Sequence, residues 1–371
     1  MADRVLLVDG HSLFPRAFHA LPPLSTSDGQ PTGALLGFLQ MMMQLLEQEE
    51  PDYAAVALDL PGPTFRDEIY EEYKSHRPPT DEALKAQVSL LSDLIDALGM
   101  SALALEGYEA DDVIGTMAKR AAEEGLDVVI VTGDRDLLQL VDDGVEVVAT
   151  LRGIKDTRRY DREKVLEDYD LEPKQLIDLK ALAGDSSDNI PGVAGIGDKS
   201  AQTLLEQFGS VEAAFEGIDE IESTRIRNRL VEEPEQAVLS KQLATIITDA
   251  PVEIDLDEMK WPGLPVTKLR ELATKLEFSA VLDRLPAGER EERDIHVEPV
   301  HEQERLDEIV AQVRAEGSMA LALADDDVAS LAVAAGPDLA ALIPLDSATE
   351  AEGTLFAEAG EEDLDLGGLA E

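Results

Sequence analysis

Short apolar runs alternate with longer stretches of helical periodicity through the first 150 residues. Strands are predicted at residues 4–8, 53–58, 127–132 and 145–150, and helices at 33–47, 80–99 and 109–124. The strand segments are apolar on both faces, which is typical of strands covered by helices on each side. The pattern therefore predicts an α/β fold with a mostly parallel sheet.

From about residue 171 the pattern becomes helical, with predicted helices at 173–183 and 198–208. The connecting segment contains the turn Gly192-x-x-Gly195-x-Gly197, followed by Lys199. Such a turn lets a phosphate approach the N–H groups of a helix N-terminus, and the lysine adds a positive charge. The alternative is an ordinary helical hairpin whose glycines allow close packing.

Three of the predicted strands lead into an aspartate: Asp9, Asp59 and Asp134. The carboxyl ends of parallel strands gather at one sheet edge, where ligands bind. The loops nearby add further carboxylates, at Glu109, Asp111, Asp112, Asp136, Asp185 and Asp188. Oxygen ligands without Cys or His suit a hard cation such as Mg²⁺ or Mn²⁺, so a metal site is predicted here. The alternative is chance, because 79 of the 371 residues are acidic.

Aromatic and basic residues alternate between Phe65 and Arg77, and they include Tyr73 and Lys74. This mixture is typical of surfaces that stack on bases and grip the phosphates of a single strand. The alternative is an exposed helix whose long side chains reach to solvent.

The composition excludes several classes of protein. The chain has no Cys, which rules out disulfides, thiolate zinc sites and a cysteine nucleophile. It has no apolar run long enough to span a membrane and no signal-peptide pattern, so we expect a soluble cytoplasmic protein without a membrane partner. The length predicts two to three domains.

The formal net charge is −48. By itself this argues against a nucleic acid as partner, because phosphate binding normally needs a basic surface. The acidic residues are spread over the whole length, which is typical of a surface adapted to a salt-rich cytoplasm, where self-repulsion is screened. The alternative is an ordinary acidic protein with a disordered acidic tail.

Six motifs together resemble the flap endonuclease family, in the form of the 5′ nuclease domain that bacterial DNA polymerases carry. They are VLLVDG (5–10), RAFHAL (16–21), FR with YKSHR (65–77), GYEADD (107–112), TGDRD (132–136) and GDSSDNIPGVAGIG (184–197). The resemblance covers roughly residues 1–285. One departure is Pro15, where the family usually has an aromatic residue.

The resemblance implies a PIN-like nuclease domain at 1–170 and a helix–three-turn–helix DNA-binding subdomain at 171–287. It implies a 5′–3′ exonuclease and flap endonuclease that removes RNA primers and 5′ flaps in replication and repair. Its partner would be DNA with a 5′ flap, a nick or an RNA primer. The chain would be a monomer, with a polymerase domain in the full-length protein.

The resemblance also assigns roles to the residues already named. Two Mg²⁺ ions, replaceable by Mn²⁺, would lie among the nine carboxylates of the strand ends and loops. Lys74 and Arg77 would belong to a helical arch and stabilise charge on the scissile phosphate. Arg16, Tyr73 and the 192–199 turn would contact DNA, with a potassium ion at that turn.

Residues 288–371 resemble the beginning of a 3′–5′ exonuclease domain. The segment has strand-like runs at 319–323, 331–335 and 340–345, but Ala322-Leu323-Ala324 stands where that family has an Asp-x-Glu metal pair. After Arg314 there are 14 acidic residues and no Lys or Arg. We expect a partial α/β segment that is truncated and inactive.

Two other functions share some of these features. A PIN-type ribonuclease would have the sheet-edge acids but would lack the 192–209 hairpin. A non-catalytic DNA-binding module that positions a polymerase would have the hairpin, but it should avoid acids facing phosphate.

Overall fold

The computed structural model describes residues 2–152, 156–286, 296–300, 303–316, 320–325, 329–334 and 339–344. The chain forms two compact units, residues 1–286 and residues 287–371. Within the described residues, no helix is both long enough and apolar enough to cross a membrane.

A six-stranded sheet organises the first unit. Its strands are β1 (Arg4–Asp9), β2 (Tyr53–Ala57), β3 (Ser101–Leu103), β4 (Asp127–Thr132), β5 (Val145–Arg152) and β6 (Asp156–Tyr160). Their spatial order is β3-β2-β1-β4-β5-β6, and all neighbours are parallel except the β5–β6 pair. The predicted α/β fold with a mostly parallel sheet is confirmed, whereas β3 and the antiparallel edge strand β6 were not predicted.

The central strand β1 is buried on both faces, which explains its continuous apolar sequence. Val5 and Leu7 point to one hydrophobic core, and Leu6 and Val8 to a second core on the opposite face. Seven helices belong to this part of the chain: α1 (Gly10–Ala20), α2 (Gly33–Glu49), α3 (Phe65–Ile69), α4 (Glu82–Val88), α5 (Leu91–Ala97), α6 (Ala110–Glu123) and α7 (Arg162–Tyr169). A 3-10 helix, Asp136–Leu140, follows β4.

The single helix predicted at 80–99 is two helices, α4 and α5, and Asp81 rather than Thr80 caps the first. A long-range contact lies at the end of α4, next to the break. Gln87, only 1 % exposed, accepts hydrogen bonds from the backbone N–H groups of Ala34 and Leu35, at distances of 2.8 and 3.3 Å. Its side chain thereby caps the start of α2, a contact that helical periodicity cannot reveal.

The segment predicted to form a helical arch is α3 followed by turns through residue 76. A capping box at Thr64 starts α3, and extended backbone at Tyr70 ends it. Pro78 and Pro79 then prevent a helix from continuing, since proline disfavours helical backbone before it and within it.

The remainder of the first unit is helical. Its helices are α8 (Gln175–Ala183), α9 (Asp198–Phe208), α10 (Val211–Glu216), α11 (Thr224–Glu232), α12 (Pro234–Ala244), α13 (Val266–Lys275) and α14 (Ser279–Leu282). Two short 3-10 helices lie at Ile218–Glu220 and Leu256–Met259. Helix α9 has the predicted bounds, and α8 begins two residues later than predicted.

The second unit contains β7 (His296–Pro299), α15 (Gln303–Glu316), β8 (Ala320–Asp325), β9 (Ala329–Ala334) and β10 (Leu339–Pro344). The strands form a sheet in the order β7-β10-β9-β8. The three predicted strand-like runs correspond to β8, β9 and β10. Ala322-Leu323-Ala324 lies within β8, and residues 345–371, which carry most of the acidic tail, fall outside the described residues.

Candidate metal centre and nucleic-acid interface

The site lies at the carboxyl edge of β1, β2 and β4, where the parallel register brings their ends together. Asp9 ends β1 and is 1 % exposed. It caps α1 by accepting from the Ser12 N–H at 2.9 Å, and its other oxygen accepts from the Thr132 hydroxyl at 2.6 Å. Asp9 is thus fixed at the centre of the edge by the two elements on either side of it.

The N-terminus of α6 brings further acids to this edge. Asp59 accepts from the Ala110 N–H at 2.7 Å, which ties the end of β2 to the first turn of α6. Glu109 is the N-cap of α6, and Asp111 follows within its first turn. Negative side chains at this end are favoured by the partial positive charge of the N–H groups at a helix start.

The loop after β4 supplies the opposite side of the site. Asp134 accepts from the Asp136 N–H at 2.9 Å, so the two acids form a compact turn. Lys180 of α8 pairs with both Asp136 and Asp185. Asp185 in turn accepts from the Ser187 N–H at 2.7 Å, which orders the loop that follows α8.

The segment after α3 closes the site with two cations. Lys74 donates to Glu109 at 2.7 Å, and Arg77 donates to Asp188 at 2.5 Å. Lys74 has a left-handed backbone, with φ of 51°, and its N–H donates to the Asp188 carbonyl at 3.0 Å. The basic residues named from the sequence are therefore brought directly against the acids.

Burial and mutual repulsion raise the pKa values of the central acids. Burial raises the pKa of Asp9 to about 6, with a further contribution from the charge of Asp134. Burial and the Asp134 charge likewise raise the pKa of Asp136 to about 7. The pKa of Asp111 lies well above its ordinary value, because the group is buried beside Asp9, Asp134 and Glu109. Such a cluster is stabilised in its ionised form only when cations lie within it.

The donor set suits a hard divalent ion, since it consists of carboxylate oxygens from rigid strand ends and one helix N-terminus. Within the described ranges, however, no three Asp, Glu or His side chains already converge as a metal-binding group. Instead, carboxylate oxygens form ion pairs with Lys74, Arg77 and Lys180. Lys180 was not identified from the sequence, where nothing distinguishes it from other helical lysines.

Asp112, also predicted as a metal ligand, has surroundings different from those of the other acids. It is fully buried, and both of its oxygens accept hydrogen bonds from Arg66, at 2.8 and 2.7 Å. Position N3 of a helix turns the side chain back toward the N-cap, and here that direction leads into the protein interior.

Tyr73, which was predicted to contact DNA, is buried. Its exposed fraction is 5 %, so its ring cannot stack on a base in this arrangement. Its hydroxyl lies 3.2 Å from Glu109 and 3.3 Å from Asp188, bridging acids from the two sides of the site.

Arg16 lies on the other flank of the cluster, where it donates to the Gly133 carbonyl at 2.5 Å. With Arg135, Tyr169 and Lys180 it lines a cavity of about 500 Å³ that opens beside Asp136. Among the described residues, neither Arg16 nor Arg135 has a carboxylate partner. Two cations without carboxylate partners beside an acidic site suit a phosphate-bearing ligand.

The glycine turn before α9 forms as the sequence suggests. Gly192 has φ of 63°, and a Cβ there would lie 2.2 Å from the Gly184 nitrogen, so only glycine fits. Gly195 is also left-handed, with φ of 84°. Gly197 is the N-cap of α9 and leaves its first N–H groups without a side-chain cap, and Lys199 beside it is exposed.

Two family models match the chain, one before and one after the boundary at residue 170. Residues 4–170 match the 5′-3′ exonuclease N-terminal resolvase-like domain, and residues 171–266 match the 5′-3′ exonuclease C-terminal SAM fold. The chain therefore belongs to the 5′-3′ exonuclease family, and the family predicted from its motifs is confirmed.

Particular relatives agree with this. The chain is 44 % identical to DNA polymerase I of Bacillus subtilis over 299 residues, which covers 80 % of the chain and 34 % of that protein. It is 43 % identical to the thermostable DNA polymerase I of Thermus thermophilus over 279 residues, covering 75 % and 32 %. The chain thus matches about a third of the length of these relatives.

Solved structures share the fold. A zinc-bound T5 5′-exonuclease aligns with a TM-score of 0.54 at 23 % identity, over 74 % of this chain and 98 % of that one. The catalytic core of Rad2 in complex with a DNA substrate aligns with a TM-score of 0.51 at 18 % identity, over 76 % and 92 %.

Proposed function

We propose that the chain is a divalent-metal-dependent 5′–3′ exonuclease and 5′-flap endonuclease that hydrolyses DNA, and RNA primers, in replication and repair. The observation that carries this proposal is the gathering of carboxylates with raised pKa values at one sheet edge. Membership of the 5′-3′ exonuclease family supports it, as do the divalent metal and the DNA substrate named for the T5 and Rad2 structures.

Two Mg²⁺ ions, for which Mn²⁺ can substitute, are the cofactors that we propose. One side of the site would provide ligands from Asp9, Asp59, Glu109 and Asp111, and the other from Asp134, Asp136, Asp185 and Asp188. Bound divalent ions lower the pKa of water toward neutrality and stabilise the charge of a phosphodiester under attack.

The chain's own cations have two tasks in this proposal. Lys74, Arg77 and Lys180 neutralise the acids while they lack a metal ion, which keeps the cluster compact. When ions and DNA bind, Lys74 and Arg77 would exchange Glu109 and Asp188 for the scissile phosphate. Fixed cations at that position stabilise the charge that develops there.

The turn at residues 192–199 would hold the phosphates of duplex DNA through the N–H groups at the start of α9, with a potassium ion beside them. The whole protein would act as a monomer in the cytoplasm, with a polymerase domain in the full-length chain.

Replacing Lys199 with Ala should weaken binding to flap DNA and reduce the slope of log K against log salt by about one unit. The reason is that Lys199 is exposed and has no carboxylate partner among the described residues, so its ammonium group can pair with a DNA phosphate. The single-turnover rate at saturating enzyme should be nearly unchanged. Lys119→Ala removes another exposed lysine, on α6, and should leave the slope as it is; an equal change in both variants would contradict the role of Lys199.

Substrate choice tests the proposed function. The purified chain with Mg²⁺ should cut a 5′-flap DNA duplex near its junction far faster than single-stranded RNA. Preference for single-stranded RNA would favour a PIN-type ribonuclease. Flap binding without cleavage at any divalent-ion concentration would favour a non-catalytic module.

Residues 288–371 should contribute no 3′–5′ exonuclease activity. Ala322 and Ala324 of β8 have no side-chain oxygen that could bind a metal ion, where an exonuclease of that type has Asp and Glu. A labelled strand with a recessed 3′ end, and with phosphorothioate linkages that block digestion from its 5′ end, should keep its length with Mg²⁺ present. Progressive Mg²⁺-dependent shortening from the 3′ end would contradict this prediction.

A further inference from the structure

Asp112 directly follows Asp111 in the chain, but its carboxylate is surrounded by hydrogen-bond donors. One of its oxygens accepts from Arg66 Nη2 at 2.8 Å and from the Ile247 N–H at 2.9 Å. The other accepts from Arg66 Nη1 at 2.7 Å and from the Glu109 N–H at 3.1 Å. A carboxylate has about four lone-pair sites, so these four donors leave none directed at a metal ion.

Arg66, 2 % exposed, also contacts backbone carbonyls, and its Nη1 lies 3.5 Å from the Glu109 carboxylate. It donates to Leu243 O at 3.0 Å and to Thr245 O at 2.8 Å. The Arg66–Asp112 pair is therefore desolvated, bidentate and fully hydrogen-bonded, which is the condition under which a buried ion pair is tolerated.

The carbonyls that Arg66 reaches belong to a segment we call the 243–247 strap, which begins in the last turn of α12. Gln139 holds it from the other side, donating to Ala244 O at 3.0 Å and accepting from the Ile246 N–H at 2.9 Å. The same Gln139 amide also donates to Asp136 O at 3.0 Å. The strap is thus attached to both acid-bearing elements, the start of α6 and the 3-10 helix after β4.

The strap also connects to the glycine turn. Ser240 of α12 is fully buried, and its hydroxyl accepts from the Gly192 N–H at 3.0 Å. A continuous set of hydrogen bonds therefore runs from the turn through α12 and the strap to the acid cluster.

We propose that Asp112 is a positioning residue and not a metal ligand: with Arg66 and the 243–247 strap, it orients the start of α6 so that Glu109 and Asp111 face the metal site. This inference rests on the proposed function, whose ligand set it refines. Outer hydrogen-bond partners of metal ligands typically change metal affinity by 10–100-fold when they are removed.

The test compares Asp112→Asn with Asp111→Asn, two neighbours that undergo the same chemical change. In EDTA, Asp112→Asn should lower the Tm by roughly 5–10 °C, because the buried Arg66 charge loses its bidentate partner and keeps only Glu109, 3.5 Å away, as a counter-charge. Asp111→Asn should leave the Tm in EDTA unchanged or raise it, because it relieves repulsion among buried acids. If Asp112 were a ligand, the two variants would behave alike in EDTA.

Mn²⁺ titration at a temperature well below both Tm values gives the second readout. Asp112→Asn should bind as many Mn²⁺ ions as the wild type, with affinity reduced by about tenfold. Asp111→Asn should lose an ion. A purely structural Asp112 would lower the Tm but leave the Mn²⁺ affinity unchanged, and loss of an ion from Asp112→Asn would make it a ligand; each result overturns the proposal.

The double variant Arg66→Met, Asp112→Leu covers the case in which Asp112→Asn fails to fold. It leaves no buried charge unpaired, so its Tm in EDTA should lie above that of Asp112→Asn. The backbone groups that lose Arg66 and Asp112 as partners should keep it below the wild-type value. It should still bind the wild-type number of Mn²⁺ ions, at reduced affinity. A stable double variant that has lost an ion overturns the inference alone, whereas a wild-type chain that binds no Mn²⁺ overturns the proposed function and this inference with it.

Discussion

Asp136→Asn should abolish most of the cleavage of 5′-flap DNA while leaving DNA binding intact. The change removes a charged ligand but little volume, and a metal ion supplies several kcal/mol of charge stabilisation. The single-turnover rate with Mg²⁺ should therefore fall by roughly 10²–10⁴-fold. Flap-DNA binding, measured with Ca²⁺ in place of Mg²⁺, should stay equal or become tighter because one negative charge near the phosphate is gone.

The variant should also fold normally. Burial beside Asp134 already raises the pKa of Asp136 to about 7, so a neutral side chain at this position is well tolerated. Lys180 keeps Asp185 as its partner. Asp143→Asn, an exposed acid on the strand-connecting loop, is the matched control and should cleave like the wild type. Wild-type cleavage by Asp136→Asn would refute the ligand assignment, and a folded variant that no longer binds DNA would assign the acids to binding.

Nuclease activity should pass through a maximum at high potassium chloride concentration. A formal net charge of −48 produces strong self-repulsion in dilute buffer, so the folded state should gain stability as the Debye length falls to about 3 Å at 1 M salt. Phosphate contacts weaken with salt, because counterion release becomes less favourable. The two opposing trends place the maximum well above the salt level at which an ordinary nuclease works.

Two measurements on the same samples check this prediction: the Tm from low salt to 3 M potassium chloride, and the initial rate on flap DNA. Both should rise together from low salt, after which the rate should fall while the Tm continues to increase. A monotonic fall in rate from the lowest salt, with an unchanged Tm, would contradict adaptation to salt. Sodium sulfate at matched ionic strength separates screening from general stabilisation by excluded salts.

The acids at the strand ends could be predicted because the information is local. Asp9, Asp59 and Asp134 each follow an apolar run, and a parallel sheet necessarily brings such positions to one edge. The same reasoning identified the start of α6, where Glu109 caps the helix. The family motifs added the loop at 184–197, which no periodicity would have connected with the sheet.

The direction of individual side chains could not be predicted, because it depends on distant partners. Asp112 turns away from its neighbours to meet Arg66, 46 positions earlier in the chain, and the strap more than 130 positions later. Tyr73 is buried by contacts on both sides of the site, although its sequence neighbours suggested an exposed aromatic residue. In each case a buried hydrogen bond of long sequence separation overrides the local pattern.

Metal dependence, measured together with DNA binding, most directly tests whether the chain is a divalent-metal-dependent nuclease. A 5′-flap duplex is incubated with excess wild-type chain in EDTA, in Ca²⁺ and in increasing Mg²⁺, and bound and cleaved fractions are recorded from each sample. We expect binding in Ca²⁺ without cleavage, no cleavage in EDTA, and cleavage near the flap junction that rises with Mg²⁺ and saturates. Equal cleavage in EDTA and in Mg²⁺, or binding that no divalent ion converts into cleavage, would contradict it.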